Sequence, residues 1–296
     1  MTTTKQKITK RLVAVLALAL ALCAFTEPAE AQQILLTGPL AGAPAVRKLR
    51  LRRKGRFEIA PAISFTLLDE YQRTILLGGR LNYNFTDWLS FGVWGAVGNA
   101  IRVQTHLTDE IQSVNAARPQ ANADGSPTTD RLLTQNNLGS DFKKQLGGIE
   151  WVVAPQLTAV PFRGKLALFQ SIYLDTDLYF FGGPAFVNLK ERKNCAGTIV
   201  DPCSGPTGFE TGTRVAIAPT FGLGLNFYIN KWSALGFEWR GLPFSWNTGG
   251  FDTHGGGKDK KFPDNKITND DRQFNFNQVL TISYNVYLPF QYKVSE

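Results

Sequence analysis

The sequence predicts an all-β fold: an eight-stranded, antiparallel, up-and-down transmembrane β-barrel. Apolar residues recur at every second position through several long segments. The opposite parity of those segments is small, polar or charged, which would leave a soluble core unfilled but suits a polar lumen. Aromatic residues collect at segment ends, as the two interfaces of a bilayer require. Of the 296 residues, 43% are hydrophobic, 12% aromatic and 19% charged, a balance too apolar for a disordered chain.

Residues 1–31 read as a secretory signal peptide. Lys5, Lys7, Lys10 and Arg11 precede an apolar run from Leu12 to Phe25, and Ala29-Glu30-Ala31 has the small-x-small form of a cleavage site. A retained anchor is the alternative, but the run is shorter than the ~20 residues a spanning helix needs. Cys23 follows Leu22, where lipoprotein processing needs a small residue. Residues 32–55 are expected to form a periplasmic arm. The basic stretch formed by Arg47, Lys48, Arg50, Arg52, Arg53, Lys54 and Arg56 runs up to the first strand. Two units of the formal +8 charge belong to residues 1–31 and seven to this stretch, so the rest of the chain sums to −1. The stretch suits anionic headgroups or a periplasmic partner. Nothing in the chain supports nucleic-acid binding.

No further run after residue 31 is long and apolar enough for a spanning helix, so the mature chain is expected to cross with strands over 56–290, leaving a short tail at 291–296. The first, at 56–67, alternates Phe57, Ile59, Pro61, Ile63 and Phe65 with Glu58, Ala60, Ala62, Ser64 and Thr66. The second, at 72–86, sets Ile75, Leu77, Gly79, Leu81, Tyr83 and Phe85 against Thr74, Gly78, Arg80, Asn82 and Asn84. The next three fall at 88–103, 147–159 and 173–190. The sixth, at 213–229, opposes Val215, Ile217, Pro219, Phe221, Leu223, Leu225, Phe227 and Ile229 to Arg214, Ala216, Ala218, Thr220, Gly222, Gly224, Asn226 and Tyr228. The seventh lies at 232–247. The eighth, at 274–290, opposes Leu280, Ile282, Tyr284, Val286 and Leu288 to Thr281, Ser283, Asn285 and Tyr287. All exceed the ~5–6 residues usual in soluble sheets. Phe57, Phe85, Trp88, Trp232, Trp246 and Phe290 are the expected interface aromatics.

The connections alternate in length. Asn84–Trp88 and Ile229–Trp232 are tight turns, the loop around Asp69-Glu70-Tyr71 is short, and 104–146, 191–212 and 248–273 are long and polar. Short periplasmic turns and long external loops have this order, with both termini periplasmic. The connection at 161–172 is longer than a turn and has room for a short amphipathic helix. Two turns share a pattern, Asn82-x-x-Phe85-x-Asp87-Trp88-x-x-x-Gly92 and Asn226-x-x-Ile229-x-Lys231-Trp232-x-x-x-Gly236, read here as shared turn chemistry rather than a duplicated functional module. Cys195 and Cys203 are expected to form a disulfide in the third external loop; metal binding is the alternative, but no His accompanies them.

The segment from Leu36 to Gly95 (LTGPLAGAPAVRKLRLRRKGRFEIAPAISFTLLDEYQRTILLGGRLNYNFTDWLSFGVWG) resembles the outer membrane β-barrel domain family of myxobacteria and relatives. Gly164-Lys165-Leu166 and Asp177-Leu178-Tyr179 fit the same resemblance. It implies a secreted outer-membrane barrel without an assigned activity, and no motif selects a role in any envelope machinery.

On the lumen parity the sequence gathers Glu58, Arg80, Glu150, Asp175, Asp177, Arg214, Glu238 and Arg240. These are either an ion path or a salt-bridged plug. The plug is the expected reading, since an eight-stranded interior is just wide enough for side chains to fill. His106 and His254 were weighed as parts of an outer-leaflet lipid-modifying site, but no GxSxG or HExxH spacing accompanies them. Asp252, Asp259, Asp264, Asp270 and Asp271 lack the ordered spacing of a calcium loop. The expectation is therefore a non-enzymatic barrel with no cofactor and no resident metal. Its role would be anchoring or interaction, with outer-membrane lipid, lipopolysaccharide and an envelope protein as partners. A narrow pore and a lipid-modifying enzyme are the alternatives.

Overall fold

The structure is a computed structural model that describes residues 53–67, 69–116, 142–168, 172–193, 211–254, 257–260 and 267–290. The signal peptide, the arm up to Arg52 with Arg47, Lys48 and Arg50, the Cys195 and Cys203 pair, and residues 291–296 lie outside the described residues.

Eight strands close into one barrel in chain order: β1 (Phe57–Leu67), β2 (Gln72–Asn84), β3 (Leu89–Gln104), β4 (Gly148–Leu168), β5 (Ile172–Arg192), β6 (Thr211–Tyr228), β7 (Ser233–Trp246) and β8 (Gln273–Leu288). Every neighbouring pair is antiparallel, and β1 pairs with β8 to close the wall. The expected eight-stranded barrel is the fold the chain adopts.

The period of two in the sequence becomes two faces of the wall. Along β1 every second residue is buried and the residues between are exposed, and β6 repeats this from Val215 to Leu225. The exposed set is large and apolar: Ile217 is 73% exposed and Phe162 63%, with Leu81, Leu157, Phe57 and Trp88 close behind. This polarity is the reverse of a soluble protein. On β6 the apolar outward run reaches from Phe227 to Val215. At ~3.3 Å per residue and a tilt of about 45°, it covers about 28 Å, close to the ~30 Å of a hydrocarbon core.

The two look-alike turns have one cause. Thr86 Oγ1 accepts from the amide of Leu89 at 2.9 Å, and Asn230 Oδ1 accepts from the amides of Trp232 and Ser233 at 2.9 and 2.8 Å. Asn82 pairs with Gly92 and Asn226 with Gly236, and both asparagines are buried inward. The repeat is a turn device that leaves room beside an inward Asn.

Two connections differ from expectation. β4 runs on to Leu168 and β5 begins at Ile172, paired out to Leu168↔Ile172, so the 161–172 segment is strand rather than helix wherever it is described. A register shift between Ala159 and Phe162, at Pro161, breaks the alternation and hid the strand. The β3–β4 ladder begins only at Leu89↔Ala159 and the β5–β6 ladder at Thr176↔Phe227, so this hairpin projects past its neighbours.

The loop after β3 also carries structure: α1 (His106–Ala116) and the single turn α2 (Phe142–Gln145). Thr105 starts α1, its carbonyl accepting from Thr108 at 3.1 Å and its hydroxyl donating to the carbonyl of Glu70 at 2.6 Å, while Asp109 sits in the favourable first turn. Gln112 Oε1 accepts from the amide of Phe142 at 2.8 Å, and Asp109 pairs with Lys143 at 2.7 Å, which ties α2 to α1.

Candidate functional site

The lumen is filled in layers. At mid-height four ionised side chains from three strands meet: Glu58 on β1, Arg80 on β2, and Glu238 and Arg240 on β7. None is more than 4% exposed. Arg80 donates from Nη2 to Glu58 at 2.7 Å and from Nη1 to Glu238 Oε2 at 2.5 Å and to the Tyr179 hydroxyl at 2.8 Å. With its amide oxygen turned inward, Asn82 accepts from Arg80 Nε at 3.2 Å. Arg240 Nη2 donates to Glu238 Oε1 and Gln156 Oε1, both at 2.7 Å, and Nη1 donates to Thr220 at 3.0 Å. The rings of Trp94 and Phe181 lie 4.3 and 4.2 Å from the Arg240 guanidinium carbon. Two cations face two anions, so the cluster is neutral. It joins β2 to β7, two strands with β1 and β8 between them.

Below it a second lock closes the turn end. Arg53, from the basic stretch, is buried and donates from Nε and Nη2 to the Tyr228 hydroxyl at 3.0 and 2.7 Å and from Nη2 to the Tyr287 hydroxyl at 3.0 Å. The same Nη2 lies 3.2 Å from Asp177, which also accepts from the Tyr228 hydroxyl at 2.5 Å. Asp87 holds the segment in place by accepting from the amides of Arg53 and Lys54 at 2.8 and 3.1 Å. Arg56 is buried as well and donates to the carbonyl of Tyr287 at 3.0 Å. These two arginines therefore belong to the barrel floor, whereas Lys54 stays exposed.

Above the charges the interior turns apolar, which corrects the expected polar lumen. Leu76, Trp94, Val152, Val187, Leu189, Leu242, Phe244 and Val279 form one buried cluster. Trp246 joins it, donating from Nε1 to Asn277 at 3.1 Å, so it is a core residue and not an interface aromatic. Phe57, Phe85, Trp88 and Phe290 are exposed on the outside at the turn end, and Trp232 packs edge-on against Phe290 at 5.5 Å.

The loop end is covered in turn. Arg192 Nη1 donates to Gln145 Oε1 at 3.0 Å and to the carbonyl of Gly250 at 2.9 Å. Gly250 has φ +66°, a conformation that favours glycine. Tyr71, Phe142 and Phe251 stack over the mouth, with centroids 5.5 to 6.0 Å apart.

Three members of the expected charge set sit elsewhere. A bulge between Ile149 and Trp151 takes Glu150 off the inward parity, where it accepts from Asn188 at 2.7 Å. Asp175 lies on the projecting β4–β5 hairpin, beyond the last β5–β6 pair. Arg214 stands at the loop end, bound through Nε and Nη2 to Glu191 at 2.9 Å each, with Arg272 Nε also 3.3 Å from Glu191. The sequence reading missed Glu191, Tyr179, Tyr228 and Tyr287. Tyr287 carried a signal, since it stood on the polar parity of β8. His106 and His254 are exposed and far apart in the chain, at the start of α1 and in the last loop. Among the described residues, carboxylate oxygens of Asp252, Asp259 and Asp271 lie within 4.8 Å of one another. Asp271 accepts from the amides of Thr253 and Thr268 at 2.8 and 2.5 Å, which folds the last loop. Asp270 is exposed, and Asp264 lies outside the described residues.

A closed antiparallel barrel with an apolar outer wall defines the transmembrane β-barrel class. No protein-family model and no curated protein matches the chain. Among solved structures it is similar to the N-terminal β-barrel domain of OprF from Pseudomonas aeruginosa, at 9% identity over 79% of this chain and 98% of that one, with a TM-score of 0.39. OprG from the same organism aligns at 9% identity over 79% and 96%, TM-score 0.37. Ail of Yersinia pestis aligns at 10% identity over 79% and 98%, TM-score 0.29. The barrel assignment itself rests on this chain's own closed strand order.

Proposed function

We propose that this protein is an outer-membrane barrel that does not conduct, and that it anchors its folded external loops at the cell surface and its basic arm at the periplasmic face of the membrane. The observation that carries the reading is the neutral Glu58–Arg80–Glu238–Arg240 cluster across the lumen. An eight-stranded interior is just wide enough for side chains to fill. The Arg53 lock below and the apolar cluster above leave the charges enclosed from both ends. The outward apolar belt supports the membrane location, and the alternation of short turns with long loops supports periplasmic termini. Residues 1–31 would direct export and be removed. Arg47, Lys48, Arg50, Arg52 and Lys54 would lie against anionic headgroups or an envelope protein, and the loops would face lipopolysaccharide.

Flotation of the mature chain with liposomes, together with its gel mobility before and after boiling, tests the reading. A membrane barrel floats and shifts on boiling. A chain that stays with the soluble fraction and migrates identically in both states contradicts it.

A further inference from the structure

The wall is not uniform. The β6–β7 ladder rises from Tyr228↔Ala234 to Phe221↔Gly241 and stops there, although β7 continues to Trp246 and β6 reaches back to Thr211. Above that point β6 pairs with β5 and β7 with β8. Continuing the register would set Pro219 opposite Pro243, two residues with no N–H to offer a ladder. One side chain bridges the gap instead: Arg214 donates from Nη2 to the carbonyl of Ser245 at 3.0 Å.

The parted strands leave a cleft of about 540 Å³. Val215 and Ile217 line it from β6 on the outward parity, and Ala216 and Phe244, both buried, close it toward the lumen. Its upper rim carries Arg214, Arg272 and Lys258. The first two share the single carboxylate of Glu191, which leaves them one positive charge in excess, and Lys258 adds another. Asp270 is the acid on the rim, and it is exposed. Val215 and Ile217 end the apolar run of β6, which places the slot in the outer leaflet and the cations at headgroup height.

We propose that this cleft is a lateral site for an outer-leaflet lipid whose phosphate headgroup carries a net negative charge, with one acyl chain lying between β6 and β7 and the phosphate held by the cationic rim. The inference rests on the membrane reading above. Within it, an apolar slot with a basic rim recognises an anionic amphipath and not a free ion or a neutral lipid.

The test uses the full mature chain in liposomes doped with phosphatidylglycerol carrying a diazirine in one acyl chain, or with the matching phosphatidylcholine probe, and maps the labelled residues by mass spectrometry. Labelling at Val215–Ile217 and Phe244–Ser245 should exceed labelling at Leu81 and Leu157, which face lipid elsewhere on the wall. The glycerol headgroup should be preferred, and Lys258→Gln should reduce that preference about fivefold, the effect of one cation near an anionic surface. Ile217→Trp, which fills the slot, should lower cleft labelling while Leu81 and Leu157 stay labelled and the boiling shift persists. Equal labelling of all walls, equal use of the two headgroups, or an unchanged cleft signal in Ile217→Trp overturns the proposal. A chain labelled nowhere on its outer wall contradicts the membrane reading instead.

Discussion

Arg80 on β2 reaches across the closed lumen to place Nη1 2.5 Å from Glu238 Oε2 on β7, joining two strands that share no ladder. Removing the cation takes from Glu58 its ion-pair partner in an enclosed interior and leaves Glu238 with Arg240. Arg80→Ala should therefore cost about 3–5 kcal/mol, read by urea unfolding of the barrel in detergent. The double variant Arg80→Met with Glu58→Gln removes that ion pair whole, leaves Glu238 with Arg240 and keeps the cluster neutral. It should lose less than Arg80→Ala alone, a non-additivity that a purely packing role for Arg80 would not produce.

Tyr179 lies flat against Gly224, where an added Cβ would stand 2.3 Å from the ring carbon Cζ. Gly224→Val must push the ring aside and with it the hydroxyl that accepts from Arg80 and donates to Glu238. We expect a loss of about 1–3 kcal/mol from overpacking in the same unfolding assay. Gly224→Val with Tyr179→Phe should recover only part of it, because the hydroxyl oxygen at 2.4 Å and the ring carbons at 2.3 and 2.7 Å all meet the added Cβ.

Arg53 holds Tyr228, Tyr287 and Asp177 together at the turn end. Arg53→Ala leaves Asp177 with only the more distant Arg163, at 3.9 Å, and should lower the temperature of the boiling shift. Arg53→Lys keeps the charge but loses the fork that serves both hydroxyls, so it should recover only part of the loss.

Asp69 lies in the short turn between β1 and β2. Burial pushes its carboxyl up to about 6, against Thr66 and Arg73, which both hold it down. The folded turn therefore binds this proton more tightly than the unfolded chain does. The stability it lends is full below the ordinary value of 3.8 and is lost as pH rises through about 6. A carbon-detected titration of the Asp69 carboxyl should show a midpoint near 6, and Asp69→Asn should remove the corresponding fall in thermal stability. A midpoint at 3.8 contradicts the buried placement.

The period of two made the wall legible strand by strand, because parity alone decides which face a residue takes. Glu58, Arg80, Glu238 and Arg240 could be gathered for the same reason. Parity failed wherever a bulge intervened, as at Ile149–Trp151 for Glu150 and at Pro161 for the end of β4. Trp246 was misplaced because its position at a strand end matched an interface aromatic, while its even parity on β7, shared with buried Leu242 and Phe244, pointed inward. Arg53 and Arg56 were invisible in a run of seven like charges: nothing local marks the two guanidiniums that are buried in the barrel floor. The β6–β7 gap needed the register, since Pro219 and Pro243 acquire meaning only once they stand opposite each other.

Single-channel recording in a planar bilayer tests the sealed lumen most directly. The intact chain should insert without ion-conducting steps, and the Arg80→Ala, Arg240→Ala double variant should open measurable ones. Steady conductance through the wild-type barrel, with both arginines in place, would contradict the account.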